Sequence, residues 1–351
     1  MLKGLLVFVP VSLGLAGFHA PPTWVFVTAC LGVLPLAGLM GEATEHLAHH
    51  TGPALGGLLN ATFGNAAELI IALVALRAGE PEVVKASLTG SVLGNLLAVL
   101  GLAMFLGGWR RSELRFNRLA AESGSSAMVL AVVGLVMPAI YATATRHEQL
   151  GRIESISLDI SWILLLTYGA SLVFTLKSHR RFFLPEGEGC AASLEPGGHV
   201  WSVGRSAAVL TTTAILVALS SEALVHALDG AGRSIGLSKT FMGVVVVALV
   251  GNAAEHSTAV TVAMKGKMDL ALGIALGSSM QIALFVAPVL VLAGHAMGTP
   301  LGLEFSSLEV AALVLSVAAV SLLIHDGKTN WFEGFQLLAI YAILAVAFYF
   351  A

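Results

Sequence analysis

The sequence has little charge for its length. Only 11% of its 351 residues are Asp, Glu, Lys or Arg, whereas soluble domains contain roughly 25%. Apolar residues make up 57% of the chain, and the mean hydropathy is +0.88. So few charges cannot cover the surface of a soluble protein of this size, which argues against a cytosolic enzyme and against a nucleic-acid partner. The composition predicts a chain that crosses a lipid bilayer several times.

Cysteine and aromatic residues are also scarce. One of the two cysteines, Cys30, falls in an apolar segment and the other, Cys190, in a polar connection, so we expect no disulfide. Aromatic residues amount to 7%, and the short alternating segments of a membrane β-barrel are missing. We therefore expect an all-α polytopic membrane protein without a cofactor.

Apolar segments long enough to cross a bilayer recur along the chain. A helix needs about 20 mostly apolar residues to span the hydrocarbon, and the sequence offers eleven such segments. They cover approximately residues 3–20, 23–48, 53–77, 82–108, 120–144, 153–177, 203–227, 238–263, 269–296, 305–325 and 331–350. Twelve of the 18 basic residues fall on one side of these spans. Because Lys and Arg favour cytoplasmic loops, this bias predicts a cytoplasmic N-terminus and an external C-terminus in the cytoplasmic membrane of a prokaryote.

A five-residue motif occurs twice. Residues 64–68 and residues 251–255 both read Gly-Asn-Ala-Ala-Glu. The shift in numbering that takes Gly64 to Gly251, called the repeat offset below, also takes Ser91 to Ser278 and Gly90 to Gly277. The spans therefore form two copies of a five-helix unit, and an odd number of crossings forces the copies into opposite orientations. This inverted repeat is typical of secondary transporters, whose substrate site lies near the midplane where the repeats meet.

The repeat predicts how the chain is divided. Residues 1–21 form an extra N-terminal transmembrane helix, and residues 22–178 form the first five-helix repeat. Residues 179–202 are a cytoplasmic linker, and residues 203–351 form the second repeat. The linker contains the Pro, Gly and Glu residues that are typical of a flexible connection.

The repeated motifs place a carboxylate deep inside two spans. A charged carboxylate costs roughly 2.5–3.5 kcal/mol at the bilayer centre, which favours a functional role for Glu68 and Glu255 over helix packing. Asn65 and Asn252 precede them by three residues and share their helix faces. Other polar side chains and flexible glycines complete the candidate set: Ser91, Ser278, Asn95, Gln281, Gly64 and Gly251.

These donors are almost all oxygen atoms, which predicts a hard cation, with Ca²⁺ ahead of softer metals. Na⁺ is also hard, but two carboxylates suit a divalent ion better, and the range of divalent ions stays open. For Asn95, Gln281 and the two serines, hydrogen bonding between helices is the alternative role. His256, beside the second Glu, is more typical of a hydrogen-bonded filler than of a ligand.

Two other features flank the candidate site. Glycines four residues apart, in the pairs Gly90–Gly94 and Gly273–Gly277, are typical of close helix packing. Three carboxylates lie nearer the ends of spans: Glu42, Glu45 and Glu222. They form either acidic vestibules on the two sides of the membrane or ordinary solvated helix ends.

These motifs resemble those of a known family. The paired Gly-Asn-Ala-Ala-Glu motifs, with Leu-Ile after the first and His after the second, are similar to those of the calcium/proton antiporters, the cation/H⁺ exchanger branch of the calcium/cation antiporter superfamily. Residues 41–45, 56–63, 90–95 and 277–281 extend the resemblance. The Gly-Thr-Ser motif of the sodium/calcium exchanger branch is absent from the sequence. The resemblance implies eleven helices, a central Ca²⁺ site at Glu68 and Glu255, and supporting roles for the amides and hydroxyls.

The carboxylate pair also suggests a mechanism. Burying two bare charges costs several kcal/mol, so we expect the empty site to stay on one side until Ca²⁺ or protons neutralise it. That predicts exchange of cytoplasmic Ca²⁺ for external H⁺ by alternating access, with the same two carboxylates carrying the protons. A Na⁺- or K⁺-linked exchanger of the same fold and a cation channel remain alternatives. The sequence shows no nucleophile pair or zinc motif that would indicate an enzyme, and it leaves homo-oligomer formation open.

Overall fold

The computed structural model describes residues 2–145, 150–179 and 200–351, and these are almost entirely helical. Seven helices in these ranges are long and apolar enough to cross a bilayer, and a bent pair of helices makes an eighth candidate. Two shorter apolar helices cover Gly4–Gly17 and Ser307–Leu323. The expected all-α membrane class is therefore confirmed.

The helices and strands follow one another without any larger sheet in the described part of the chain. After a 3₁₀ turn at Leu2–Val7, the first part contains α1 (Phe8–Gly17), α2 (Pro22–Phe63), α3 (Ala66–Arg77), α4 (Pro81–Gly108), β1 (Leu114–Arg115), α5 (Arg118–Ala144) and α6 (Leu150–Val173). The second part contains α7 (Val203–Ile235), α8 (Lys239–Gly251), α9 (Ala253–Met264), α10 (Met268–Met297), α11 (Ser307–Leu323), β2 (Lys328–Thr329) and α12 (Trp331–Phe350). Most of the predicted linker lies in residues 180–199, outside the described residues.

Local sequence signals fix where several helices begin. Pro22 and Pro81 occupy first-turn positions of α2 and α4, where the missing amide hydrogen of proline is not needed. Asn117 caps α5 by accepting a hydrogen bond from the Ala120 amide. Ser306 and Glu309 form a reciprocal capping box at the start of α11. These signals account for the close agreement between predicted and observed starts.

The helix α2 bends sharply within its length. A Cβ placed on Gly56 would lie 2.6 Å from the carbonyl oxygen of Ala48, although eight residues of straight helix extend about 12 Å. Pro53 lies between them and donates no hydrogen bond to the helix. The expected connection between the second and third spans is thus a sharp bend inside one helix, where the sequence predicted two separate helices.

Long contacts between helices hold the bundle together. The first arm of α2 runs antiparallel to α7: the hydroxyls of Thr23 and Ser234 lie 2.6 Å apart at one end. At the other end His46 stacks on Trp201, with ring centroids 4.5 Å apart. Helix α7 continues to Ile235, two turns beyond its predicted end.

The loops on the basic side are tied together by polar contacts. Strands β1 and β2 pair antiparallel. Arg111 donates to the carbonyl of Gly107 at the end of α4 and to the carbonyl of Met264 at the end of α9, at 2.7 and 3.0 Å. One guanidinium therefore satisfies the last carbonyls of two helices.

Candidate cation site

Each repeated motif interrupts a helix. Helix α2 ends at Phe63 and α3 begins at Ala66. Helix α8 ends at Gly251 and α9 begins at Ala253, with a 63° bend between the two axes. Asn65 and Asn252 lie at the breaks. The predicted spans 53–77 and 238–263 are therefore each two half-helices, and each break frees carbonyl oxygens at the end of the first half.

The two glutamates occupy equivalent places in the second half-helices. Glu68 and Glu255 are both in the first turn, at the third residue of α3 and of α9. The positive end of a helix dipole stabilises an anionic carboxylate there. Two such carboxylates provide negative charge at a break where backbone carbonyls are also available, which is the chemistry that a hard cation requires.

The first carboxylate lies against the second break. A Cβ placed on Gly251 would be 3.3 Å from Cγ of Glu68, and Gly251 precedes Glu255 by four residues. The Oε2 atom of each glutamate is buried without a hydrogen-bond partner among the described residues. The fold therefore places Glu68 against the motif that contains Glu255 and leaves an oxygen of each acid available to a cation or proton.

Asparagine and serine side chains connect the two halves reciprocally. The Ser278 hydroxyl donates to Oδ1 of Asn65 at 3.1 Å, and Nδ2 of Asn252 donates to the Ser91 hydroxyl at 2.9 Å. The repeat offset exchanges these two contacts, since it relates Asn65 to Asn252 and Ser91 to Ser278. All four side chains are buried. Each motif is thus completed by a serine from the other half.

Asn95 and Gln281 break this symmetry. Asn95 donates to the Ser278 hydroxyl at 2.9 Å, and Gln281 accepts a hydrogen bond from Asn65. The repeat offset relates these positions to Ile282 and Gly94, which cannot make such contacts. The polar network is therefore denser around Ser278 than around Ser91.

The supporting glycines and His256 have distinct surroundings. The Glu68 side chain packs against Gly251. A Cβ placed on Gly64 would have the Gln281 side chain as its nearest side-chain neighbour, at 3.6 Å. The ring of His256 lies beside Gly94, 4.0 Å from where a Cβ would be. Its Nε2 is buried and has no hydrogen-bond partner among the described residues. The expected role of His256 as a hydrogen-bonded filler stays a prediction, and its Nε2 atom does not supply that hydrogen bond among the described residues.

Helix irregularities that the sequence did not predict repeat as well. A π-helical turn covers Gly94–Val99 in α4, and another covers Ile282–Val286 in α10. The repeat offset superimposes these two turns almost completely. They follow Ser91 and Ser278 directly, and π turns are frequent at functional sites because they redirect side chains.

The carboxylates that flank the candidate site lie on helix segments away from the two breaks. Glu42 and Glu45 are half-buried on the first arm of α2, before the bend. Glu222 is exposed on α7, and its carbonyl is 2.8 Å from Nδ1 of His226. Their role as vestibules stays a prediction.

Sequence reasoning missed two polar clusters. Lys239 joins three elements, with Nζ 2.8 Å from Asp229 and 3.1 Å from Glu80. Buried Glu309 lies 3.4 Å from the Thr89 hydroxyl. Both clusters depend on contacts between residues that are far apart in the chain or on different helices, which no local spacing could indicate.

The donors near the breaks are two carboxylates with neutral amide and hydroxyl oxygens. Within residues 2–145, 150–179 and 200–351, no three His, Cys, Asp or Glu side chains are grouped to hold a metal. The affinity of a site for Ca²⁺ depends on the number of its charged ligands.

Comparison with known proteins identifies the family of this chain. The family described as sodium/calcium exchanger protein matches residues 21–177 and 205–350. The Ca²⁺/H⁺ antiporter of Aphanothece halophytica is 44% identical over 99% of this chain and 95% of that protein. The Ca²⁺/H⁺ antiporter ChaA of Bacillus subtilis (strain 168) is 43% identical over 97% of this chain and 96% of its own.

A solved structure is also closely similar. The structure of native YfkE has a TM-score of 0.85 and 39% identity, and the match covers 100% of this chain and 99% of that one. The resemblance inferred from the motifs is confirmed over almost the whole length of the chain. The protein belongs to the sodium/calcium exchanger family, and within it to the calcium/proton antiporters.

Proposed function

We propose that this protein is a secondary transporter that exchanges cytoplasmic Ca²⁺ for external H⁺ by alternating access at Glu68 and Glu255. The observation that carries the proposal is the position of Glu68 against Gly251, which brings a carboxylate of the first half to the helix break that precedes Glu255. The named activity of the relatives, Ca²⁺/H⁺ antiport, agrees with it. Asn65, Asn252, Ser91 and Ser278 shape the ion site, and Asn95 and Gln281 support it through their hydrogen bonds to these side chains.

The architecture that we propose has eleven spans. The second arm of α2 together with α3 forms the third span, and α8 together with α9 forms the eighth. Spans 2–6 and 7–11 are then inverted five-helix repeats in residues 22–178 and 203–351, with residues 1–21 as an extra helix and residues 179–202 as a cytoplasmic linker. The reciprocal Asn–Ser contacts and the matching π turns support this relation. The N-terminus is cytoplasmic and the C-terminus external.

The chemistry of exchange follows from the shared carboxylates. Two ionised carboxylates in a low-dielectric region repel each other and lack solvation. A Ca²⁺ ion cancels both charges, and so do two protons, but both cannot occupy the same oxygens. The doubly ionised site is costly to bury, so only the Ca²⁺-loaded and protonated forms change sides. Competition at one site thereby couples the two fluxes.

Isosteric substitution tests the site. Glu68→Gln and Glu255→Gln keep the side-chain volume and remove the charge, so each should abolish Ca²⁺/H⁺ exchange in proteoliposomes. The matched control is Glu82→Gln, an exposed carboxylate at the start of α4, which should exchange like the unsubstituted protein. Exchange at the unsubstituted rate by either site variant would refute the assignment.

The coupling ion needs its own measurement. Ca²⁺ flux in vesicles should move protons in step and should not respond to replacement of Na⁺ or K⁺ by an inert cation. A flux that follows the Na⁺ or K⁺ gradient would indicate an exchanger linked to that ion. A Ca²⁺ current without counter-transport would indicate a channel.

A further inference from the structure

Helices α4 and α8 pack closely at small residues on one side of the molecule. On α4, a Cβ placed on Gly90 would collide with the backbone of Val244 on α8. One turn away, a Cβ on Gly243 would lie 2.6 Å from Cβ of Ala86. Helices α4 and α8 therefore touch backbone to backbone here. Close by, Lys239 binds Asp229 and Glu80 on the same, external side.

The positions that the repeat offset relates to Ala86 and Gly90 have free space around them. The repeat offset relates Ala86 and Gly90 to Gly273 and Gly277 on α10. Neither Gly273 nor Gly277 has any atom within 4 Å of an added Cβ. Gly90 is fully buried, whereas Gly273 is exposed and Gly277 is half-exposed. Nothing in this conformation requires these two residues to be glycine.

The α8 residues in this contact also have counterparts in the first half of the chain. Gly243 and Val244 correspond to Gly56 and Gly57, which lie on the second arm of α2, about two turns before the first break. In this structure they face other neighbours. A Cβ on Gly56 would meet Ala48, and a Cβ on Gly57 would lie 2.6 Å from the Leu176 side chain.

We propose that Gly56 and Gly57 close the cytoplasmic side by packing on Gly273 and Gly277, as Gly243 and Val244 now pack on Ala86 and Gly90. This inference rests on the proposed alternating access, and it assigns the inner gate to four named residues. The structure then represents the state open to the cytoplasm. It explains why Gly277 is glycine although it has free space: its backbone has to meet another backbone in the opposite state.

Matched substitutions at the glycines test the gate. Gly277→Val places its methyl groups in open space here but prevents the closed contact. We expect Ca²⁺ binding to the purified protein to stay within about twofold and exchange to fall about tenfold or more. Gly273→Ala should exchange normally because its counterpart is already alanine. Gly169→Val, on an exposed part of α6 with nothing within 4 Å, controls for adding a β-branched residue to a helix.

A labelling experiment reads the conformation directly. With Cys30 and Cys190 replaced by serine, Asn60→Cys places a thiol at an exposed position on the second arm of α2. Membrane-impermeant maleimide should label it from the cytoplasmic side. Ca²⁺ and pH conditions that close the gate should slow labelling in this background but not when Gly277→Val is added.

The outcomes distinguish a failure of the gate from a failure of the proposed function. If the unsubstituted protein exchanges no Ca²⁺ for H⁺, the proposed function fails. If it exchanges and Gly277→Val matches its rate, only the gate is wrong. Loss of Ca²⁺ binding in Gly277→Val, or equal damage by Gly273→Ala, would also overturn the gate, since both contradict the packing on which it is built.

Discussion

Replacing Ser278 by alanine should damage the ion site more than replacing Ser91, although the repeat makes the two serines equivalent in sequence. Ser278 accepts a hydrogen bond from Asn95 and donates one to Asn65. Among the hydrogen bonds found in the described residues, the Ser91 side chain takes part in one, which it accepts from Asn252. Nδ2 of Asn252 retains a second bond, to the Ala248 carbonyl at 2.9 Å. The variants therefore leave different numbers of buried polar groups without partners.

The difference can be expressed as a free energy. Each buried polar group that loses its partner costs about 1–3 kcal/mol in soluble proteins, and hydrogen bonds in membrane proteins average about 0.6 kcal/mol. Two such groups at Ser278 give about 1.2–6 kcal/mol, whereas one group at Ser91, which keeps a second bond, gives about 0.6 kcal/mol. If the cost appears in ion binding, Ca²⁺ affinity falls about tenfold or more in Ser278→Ala and about threefold in Ser91→Ala.

Calorimetric titration of Ca²⁺ into the purified protein at constant pH measures this difference. Ser279→Ala is the matched control, because the buried Ser279 hydroxyl donates to the Ala275 carbonyl of its own helix at 2.8 Å. We expect the control to bind like the unsubstituted protein. An affinity loss in Ser91→Ala as large as in Ser278→Ala would contradict this prediction, because the asymmetric network would then be irrelevant to ion binding.

Two further substitutions test other parts of the structure. Gln281→Ala should weaken Ca²⁺ binding about threefold or more, because it removes the acceptor that orients the Asn65 amide; unchanged affinity would show that Asn65 is held well enough by Ser278 alone. Arg111→Ala should lower the thermal unfolding temperature in detergent, since it removes the donor to the terminal carbonyls of α4 and α9 at a cost of about 1–3 kcal/mol. Its neighbour Arg110, which is exposed, provides the control Arg110→Ala, and equal unfolding temperatures for the two variants would contradict the capping role.

The membrane class and most helix boundaries could be predicted from the sequence, which also singled out the two acids. Apolar length decides where a helix can cross lipid, so α12 begins and ends where the hydropathy predicted. The cost of burying a carboxylate made Glu68 and Glu255 conspicuous in isolation. The repeat offset predicted the two halves, because a repeat is a property of the one-dimensional chain.

The contacts that join those residues became visible in the folded chain and not before. Hydrogen bonds between distant helices depend on which faces meet, and a local pattern does not record that; the pairing of Asn65 with Ser278 spans 213 positions. The bend of α2 near Pro53 and the π turn that contains Asn95 likewise do not follow from apolar length, the property from which the spans were predicted. Gly90 is crowded and Gly277 is uncovered, although the repeat offset relates them. Their neighbours differ because packing depends on which helix faces meet, and repetition in the sequence does not determine that.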